Sequence, residues 1–137
     1  MSTIDLSEAE ARQLESESLN DIYASLALTD AGTAKSAGVA ISSVASIKTI
    51  VRAEEATTEN IFDWLAARGK ALFEKYWPAV KEEICRLYTG EDPANVKEWI
   101  ERAAVVILGV LNITAAAAVF VAVLALRMGL NRLCKAA

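Results

Sequence analysis

The sequence predicts an all-α protein, a bundle of about five helices that ends in a long and very apolar C-terminal helix. Hydrophobic residues make up 54% of the 137 residues, whereas the chain has only two prolines and six glycines. Alanine is abundant, and no run of alternating β-branched residues indicates a strand. We therefore expect one helical domain over residues 1–137, with amphipathic helices in 1–92 and the long helix in 93–137.

A third observation is the stretch Ala103–Leu126, which contains no charged residue. About 24 helical residues at roughly 1.5 Å each give about 36 Å, longer than the hydrocarbon core of a bilayer at roughly 30 Å. The stretch is therefore a candidate transmembrane helix. Its many alanines weaken that interpretation, because alanine is close to neutral for membrane insertion. A helix that is apolar all round is either a membrane span or the central helix of a soluble bundle, and the sequence leaves both open.

Capping residues and prolines predict the helix boundaries in residues 1–92. Ser7 and Glu10 have the spacing of a capping box, so a first helix should begin there and extend to about Leu28. Trp77-Pro78 predicts that a third helix ends and a fourth begins, because the residue before a proline avoids the helical region. The first helix should bury one face, formed by Leu19, Ile22, Tyr23 and Leu26.

The C-terminal helix should begin at Asp92-Pro93, where an N-cap aspartate precedes a proline suited to the first helical position. Nothing after this point stops a helix until close to the end of the chain, so we expect one helix from Pro93 to about Cys134. Met128-Gly129 is the point at which that helix could bend or end.

Small residues at helical spacing predict two helix-pairing faces, because they let two backbones approach closely. One face lies in residues 31–53 and the other in the apolar stretch, so the two could pair with each other. The alternative for residues 31–53 is a soluble packing face or a Ser/Gly-rich linker. The faces consist of Gly38, Ser42 and Ser46, and of Gly109, Asn112 and Ala116.

Aromatic and basic residues flank the apolar stretch in the order typical of the two membrane interfaces. Trp99 precedes the stretch, where an interfacial ring would lie. Arg127, Arg132 and Lys135 follow it, within reach of lipid phosphates. The alternative is a buried tryptophan and basic residues that complement the negative end of a helix dipole.

Charge and missing residue types argue against several functional classes. The net charge is −4, which disfavours nucleic-acid binding. There is no histidine, and the spacing of Cys85 and Cys134 matches no metal site, so we expect two unpaired thiols in a reducing compartment. No phosphate-binding loop or nucleophile motif is present. The sequence therefore predicts no enzyme, cofactor, metal or small-molecule substrate.

The charge pattern also bears on topology. A basic C-terminal tail prefers the cytoplasmic side of a membrane, yet from the acidic first part of the chain we expect no secretory signal. This conflict favours a conditional or tail-anchored arrangement over a permanent simple span. We expect a cytoplasmic, membrane-associated homo-oligomer that anchors to a lipid membrane or forms a pore-like lesion in it. The alternative is a soluble helical-bundle interaction or assembly module with Ala103–Leu126 as its buried core helix, or covered by a protein partner.

Overall fold

A computed structural model describes residues 8–30, 59–88 and 94–135, and every regular element within these ranges is an α-helix. The all-α prediction is thus confirmed. The helices are α1 (Glu8–Ser16), α2 (Leu19–Leu28), α3 (Glu59–Arg86), α4 (Val96–Val110), α5 (Ala115–Met128) and α6 (Leu130–Lys135).

Helices α2 and α3 pack closely along each other, and α2 also contacts α5. Gly69 on α3 sets this distance, since a Cβ placed there would lie 1.6 Å from the carbonyl oxygen of Tyr23. The ring of Tyr23 meets Phe73 edge-on, with ring centroids 6.5 Å apart. Phe73 in turn stacks on Trp77 at 5.8 Å. The glycine therefore lets the backbones approach and brings these aromatic rings into one cluster.

The predicted boundary at Pro78 is wrong, because α3 continues through it to Arg86. A proline inside a helix removes one hydrogen bond and costs about 3 kcal/mol or more. Here the proline itself is exposed. Phe73 before it and Val80 and Ile84 after it are all buried. Burial of apolar side chains on both sides of Pro78 offsets the local cost and keeps the helix continuous.

The predicted single helix up to Leu28 is also wrong, since α1 ends at Ser16 and α2 begins at Leu19. Ser18 has an extended backbone, and its side chain accepts a hydrogen bond from the amide of Asp21 at 3.2 Å. That is an N-cap in the middle of the expected helix. The break lets Ile22 and its neighbours on α2 be buried while α1 follows a separate path.

The single C-terminal helix from Pro93 is wrong. Helix α4 begins at Val96, where the side chain of Asn95 accepts from the amide of Glu98 at 3.0 Å. The chain then leaves the helix at Leu111, and a new helix starts after Thr114, whose hydroxyl accepts from the amide of Ala117 at 3.1 Å. The break allows α5 to pack against α4. Both halves of the apolar stretch thereby bury surface that a straight helix would leave exposed.

The other prediction about this region, a stop at Gly129, is confirmed. Gly129 has a φ of +101°, which favours glycine, and it ends α5. Among the described residues, no helix is both long enough and apolar enough to cross a bilayer. The predicted capping box at Ser7 and the face formed by Gly38, Ser42 and Ser46 lie outside the described residues.

The expectation of two unpaired thiols is wrong, because Cys85 and Cys134 form a disulfide with Cα atoms 5.6 Å apart. They are separated by 49 positions in the sequence. The fold places the end of α3 beside α6, which brings the two side chains together. The sequence contains two cysteines, which is compatible with one disulfide, but their spacing does not reveal that they pair.

Candidate interaction surface

The clearest candidate for a functional surface is the outer face of α4, the helix in which the apolar stretch Ala103–Leu126 begins. The inner face of α4 is buried in the hydrophobic core, which includes Trp99, Ile100, Ala103, Ala104 and Ile107. In the first half of the helix the outward residues are charged: Glu98 and Arg102 are exposed. Lys97 pairs with Glu101 at 3.3 Å. These charges fix which side of α4 faces water.

Beyond Arg102 the same outward side carries no charge. Val105 and Val110 are 41% and 45% exposed. Gly109 lies between them, and a Cβ placed there would meet no atom within 4 Å. The surface around Gly109 is therefore open, apolar and free of steric hindrance from the part of the chain that the structure describes.

Four residues define what we call the α4 stripe: Arg102, Val105, Gly109 and Asn112. All four are exposed. Their spacing of three, four and three positions is that of one side of a helix, although Asn112 lies just beyond the end of α4 at Val110. The positions of the stripe are spaced symmetrically about Ile107, with Val105 and Gly109 two positions from it and Arg102 and Asn112 five positions from it.

Helix α5, the second half of the apolar stretch, has the opposite environment. Its residues from Ala117 to Ala125 are all buried, on every side of the helix. Helices α2 and α4 supply most of the described contacts, and α1, α3 and α6 add smaller ones. The chain itself therefore covers the most apolar segment of the sequence.

The predicted pairing face of Gly109, Asn112 and Ala116 rested on a continuous helix, and that helix is broken. Gly109 belongs to α4, Asn112 to the connection and Ala116 to α5. Ala116 is partly buried and packs against the core. The structure thus keeps Gly109 and Asn112 on one exposed stripe and separates Ala116 from them. Their role in helix pairing stays a prediction.

The structure places the four predicted membrane-interface residues in different environments. Trp99 is only 8% exposed and belongs to the core. Arg127 is partly buried and donates hydrogen bonds to the carbonyl oxygens of Leu14 and Glu17, at 3.0 and 2.6 Å. Arg132 is exposed, and Lys135 is the last residue of α6. A contact of these residues with lipid stays a prediction.

The contact of Arg127 explains how α1 is held. The last carbonyl groups of a helix have no partner within the helix, and a cation there also complements the helix dipole. Arg127 supplies both effects to the end of α1 from the last turn of α5. The sequence identified Arg127 as a basic residue after the apolar stretch, but the carbonyl groups it binds are more than a hundred positions away.

A polar cavity of about 350 Å³ lies where α4 gives way to α5. Its walls include Asp30, Tyr76, Asn112 and Thr114. Burial raises the pKa of Tyr76 above its usual value, and the negative charge of Asp30 raises it further. Tyr76 is therefore a neutral hydrogen-bond donor at physiological pH. Asn112 borders both this cavity and the α4 stripe.

Sequence reasoning missed two features of the structure, the exposed valines of α4 and the disulfide between α3 and α6. The excess of apolar residues was visible in the sequence. A chain with more apolar residues than its core can enclose must expose some of them, which is a signal for an exposed patch.

Within the described ranges, no group of histidine, cysteine, aspartate or glutamate side chains could hold a metal ion. No family model, curated protein or solved structure matches the chain.

Proposed function

We propose that this chain is a non-enzymatic helical bundle that assembles with a second copy of itself through the α4 stripe. In this proposal α5 is the core helix and α4 is the contact helix. The observation that carries the proposal is the exposed and uncharged end of α4, beside an α5 that the same chain encloses completely.

The symmetry of the α4 stripe supports a second copy as the partner. In a twofold dimer the same patch contacts itself, so residues pair reciprocally. If two α4 helices cross antiparallel at Ile107, each Val105 lies opposite the Gly109 of the second copy. A valine side chain then fills the open space above a glycine backbone. This arrangement buries both exposed apolar groups of the stripe.

The outer residues of the stripe are also complementary. In the same arrangement Arg102 lies opposite the Asn112 of the second copy, and the guanidinium group can donate to the amide oxygen. Two such pairs flank the apolar centre, one at each end. Because a single pair of short helices buries less than the standard interface of roughly 1,600 Å², we expect an affinity in about the micromolar range.

A lipid membrane is the competing occupant of the same surface, and its involvement can be tested separately. The purified chain is floated with liposomes, neutral or containing anionic lipid, at neutral and at acid pH. Self-association through the stripe predicts that the protein stays at the bottom of the gradient under all four conditions. Flotation of the native chain would favour membrane anchoring over the proposed dimer.

The decisive experiment uses Gly109→Gln. A Cβ at this position meets none of the residues that the structure describes, so the variant should fold normally. In the dimer it would occupy the space that Val105 fills. Sedimentation equilibrium over a concentration series should show a reversible monomer–dimer equilibrium for the wild type. The variant should have a dissociation constant at least about tenfold higher, equivalent to about 1.4 kcal/mol.

Ala71→Gln is the matched control. Ala71 is exposed on α3, away from the α4 stripe, and the change adds the same side chain to a helix surface. The control should keep the dissociation constant of the wild type. Equal weakening by both substitutions, or a wild type that remains monomeric up to millimolar concentration, would contradict the proposal.

We also propose that the chain works where its cysteines are oxidised for at least part of its lifetime. Disulfides persist mainly in oxidising compartments and are usually transient in the cytosol. The Cys85–Cys134 bridge is the observation behind this proposal, which replaces the expected permanently reducing environment. Mass spectrometry of the chain from its native host, with free thiols blocked at lysis, would measure the oxidised fraction.

A further inference from the structure

The Cys85–Cys134 disulfide lies at the edge of the fold. Cys85 is in the last turn of α3, and Cys134 is in α6 near the end of the chain. Both side chains are partly exposed. A bridge in this position is open to solvent, unlike one enclosed by a hydrophobic core.

An open cavity of about 470 Å³ leads to the bridge. Both cysteines form part of its wall, together with Pro78, Lys81, Glu82 and Arg86. At this wall Arg86 forms ion pairs with Glu82 and Glu83, at 2.7 and 3.0 Å. A cavity of this size admits a small dithiol or the protruding cysteine of a protein.

The bridge holds a short helix that has little else to stabilise it. Helix α6 has six residues, which is too short to be stable alone. Gly129 separates it from α5. Leu130 is 1% exposed and Leu133 packs at the edge of the core, so these contacts and the disulfide keep α6 in place.

The last turn of α5 has independent attachments. Arg127 binds the end of α1, and the hydroxyl of Tyr23 donates to the sulfur of Met128 at 3.5 Å. Loss of the disulfide would therefore release α6 and leave α5 in place. The change would be confined to the residues after Gly129.

We propose that Cys85–Cys134 is a thiol–disulfide exchange site for a dithiol protein of the Cys-x-x-Cys class, and that exchange releases α6. A thiolate of the partner attacks one sulfur of the bridge and forms a mixed disulfide, while the other cysteine leaves as a thiolate and takes up a proton. The second thiol of the partner then displaces the first cysteine and closes the partner's own disulfide. The chain gains two electrons and two protons, and the partner loses them. This proposal is independent of dimer formation through the α4 stripe.

The test measures reduction of the native, full chain by dithiothreitol and, separately, by purified thioredoxin. Free thiols are trapped with a maleimide at each time and counted by mass spectrometry. For both reductants, the rate on the native protein should lie within about tenfold of the rate on protein unfolded in guanidinium. A native rate more than about tenfold lower with either reductant would overturn the proposal, because exchange would then need unfolding.

Hydrogen exchange then tests the release of α6. On reduction the amides of α6 should exchange at least about tenfold faster, while the segment of α3 from Leu65 to Phe73 keeps its protection. A variant with Cys85→Ser and Cys134→Ser should show the fast exchange without reductant and no further change when reductant is added. Unchanged protection of α6 in the reduced wild type would overturn the proposal, as would loss of protection throughout α3.

Discussion

The uncharged stretch Ala103–Leu126 supplies the second half of α4 and most of α5, yet the two parts occupy different environments. Helix α5 is buried on every side from Ala117 to Ala125. Helix α4 buries Ala104 and Ile107 but leaves Val105 and Val110 more than two-fifths exposed. The two helices meet after a short connection and pack against each other. Helices from the same apolar stretch therefore need not be equally buried.

The difference in burial arises from the residues that precede each half of the apolar stretch. Helix α4 begins with charged residues, and Glu98 and Arg102 hold one of its sides in water. Because a helix is rigid, Val105 and Gly109 must lie on that same side. Helix α5 has no charged residue until Arg127, and its small alanines let neighbouring helices approach from all directions. The charges at the start of α4 thus determine which part of the stretch is available for an interaction.

The largest expected effect contrasts the two helices directly. Phe120 on α5 is fully buried, so Phe120→Ala should lower the free energy of unfolding by about 3–5 kcal/mol. Val105→Ala on α4 should change it by less than about 0.5 kcal/mol in dilute, monomeric samples. Urea denaturation of both variants measures these differences. A similar loss for both would show that α4 is as enclosed as α5.

A smaller effect tests the attachment of α5 to α1. Arg127→Met removes the charged donor to the carbonyl groups of Leu14 and Glu17. We expect a loss of about 1.5–3 kcal/mol in the free energy of unfolding, the usual range for hydrogen bonds to a charged group. Arg132→Met is the control, because Arg132 is exposed on α6 and should tolerate the change. Equal stability of the two variants would contradict the capping role of Arg127.

The break between α4 and α5 should depend on Thr114. Thr114→Ala removes the side chain that accepts from the amide of Ala117 and should cost about 1 kcal/mol. Thr114→Ser keeps the hydroxyl oxygen and should retain most of the stability. Thermal and urea unfolding of the pair measure the difference. If Thr114→Ala were as stable as the wild type, a continuous helix through residues 111–114 would again deserve consideration.

The sequence predicted the helical class, the stop at Gly129 and the burial of Ile22, Tyr23 and Leu26, because these follow from composition and local periodicity. The burial of Leu19 on the same face was predicted wrongly, since Leu19 is 36% exposed. It did not predict the breaks at Ser18 and Thr114. Serine and threonine are acceptable inside a helix, and only the packing of distant helices decides whether they act as caps. The exposed side of α4 could be read from its early charges, but the disulfide depends on the meeting of α3 and α6, which no local pattern encodes.

Glycine substitutions should have opposite effects at two positions. Gly109→Ala should raise the free energy of unfolding by up to about 1 kcal/mol, because alanine favours the helix and its Cβ meets nothing. Gly69→Ala should lower it, because the Cβ would overlap the backbone of Tyr23. Urea denaturation of the two variants at low protein concentration measures whether each substitution raises or lowers the free energy of unfolding. Destabilisation by Gly109→Ala would mean that the α4 stripe is covered within the monomer.

The smallest effect at neutral pH concerns Tyr23, which joins α2 to the last turn of α5. Its hydroxyl donates to the sulfur of Met128, a weak acceptor, so Tyr23→Phe should cost less than about 1 kcal/mol at pH 7. The alkaline range should be more informative. Burial raises the pKa of Tyr23 above its usual value of 10.0, and the negative charge of Glu74 raises it further.

The raised pKa of Tyr23 determines the direction in which the free energy of unfolding changes at alkaline pH. Below the unfolded pKa near 10.0 the phenol is neutral in both states, so its contribution does not change with pH. As pH rises further, the unfolded chain loses the proton first, and the free energy of unfolding falls until the folded pKa is passed. Tyr23→Phe should therefore lessen the alkaline loss of stability, and Tyr76→Phe should act in the same direction, because the pKa of Tyr76 is also raised. Urea denaturation from about pH 8 to about pH 11 measures the slopes. Identical slopes for the wild type and Tyr23→Phe would show that this phenol is solvated, and that the end of α5 is less enclosed than its middle.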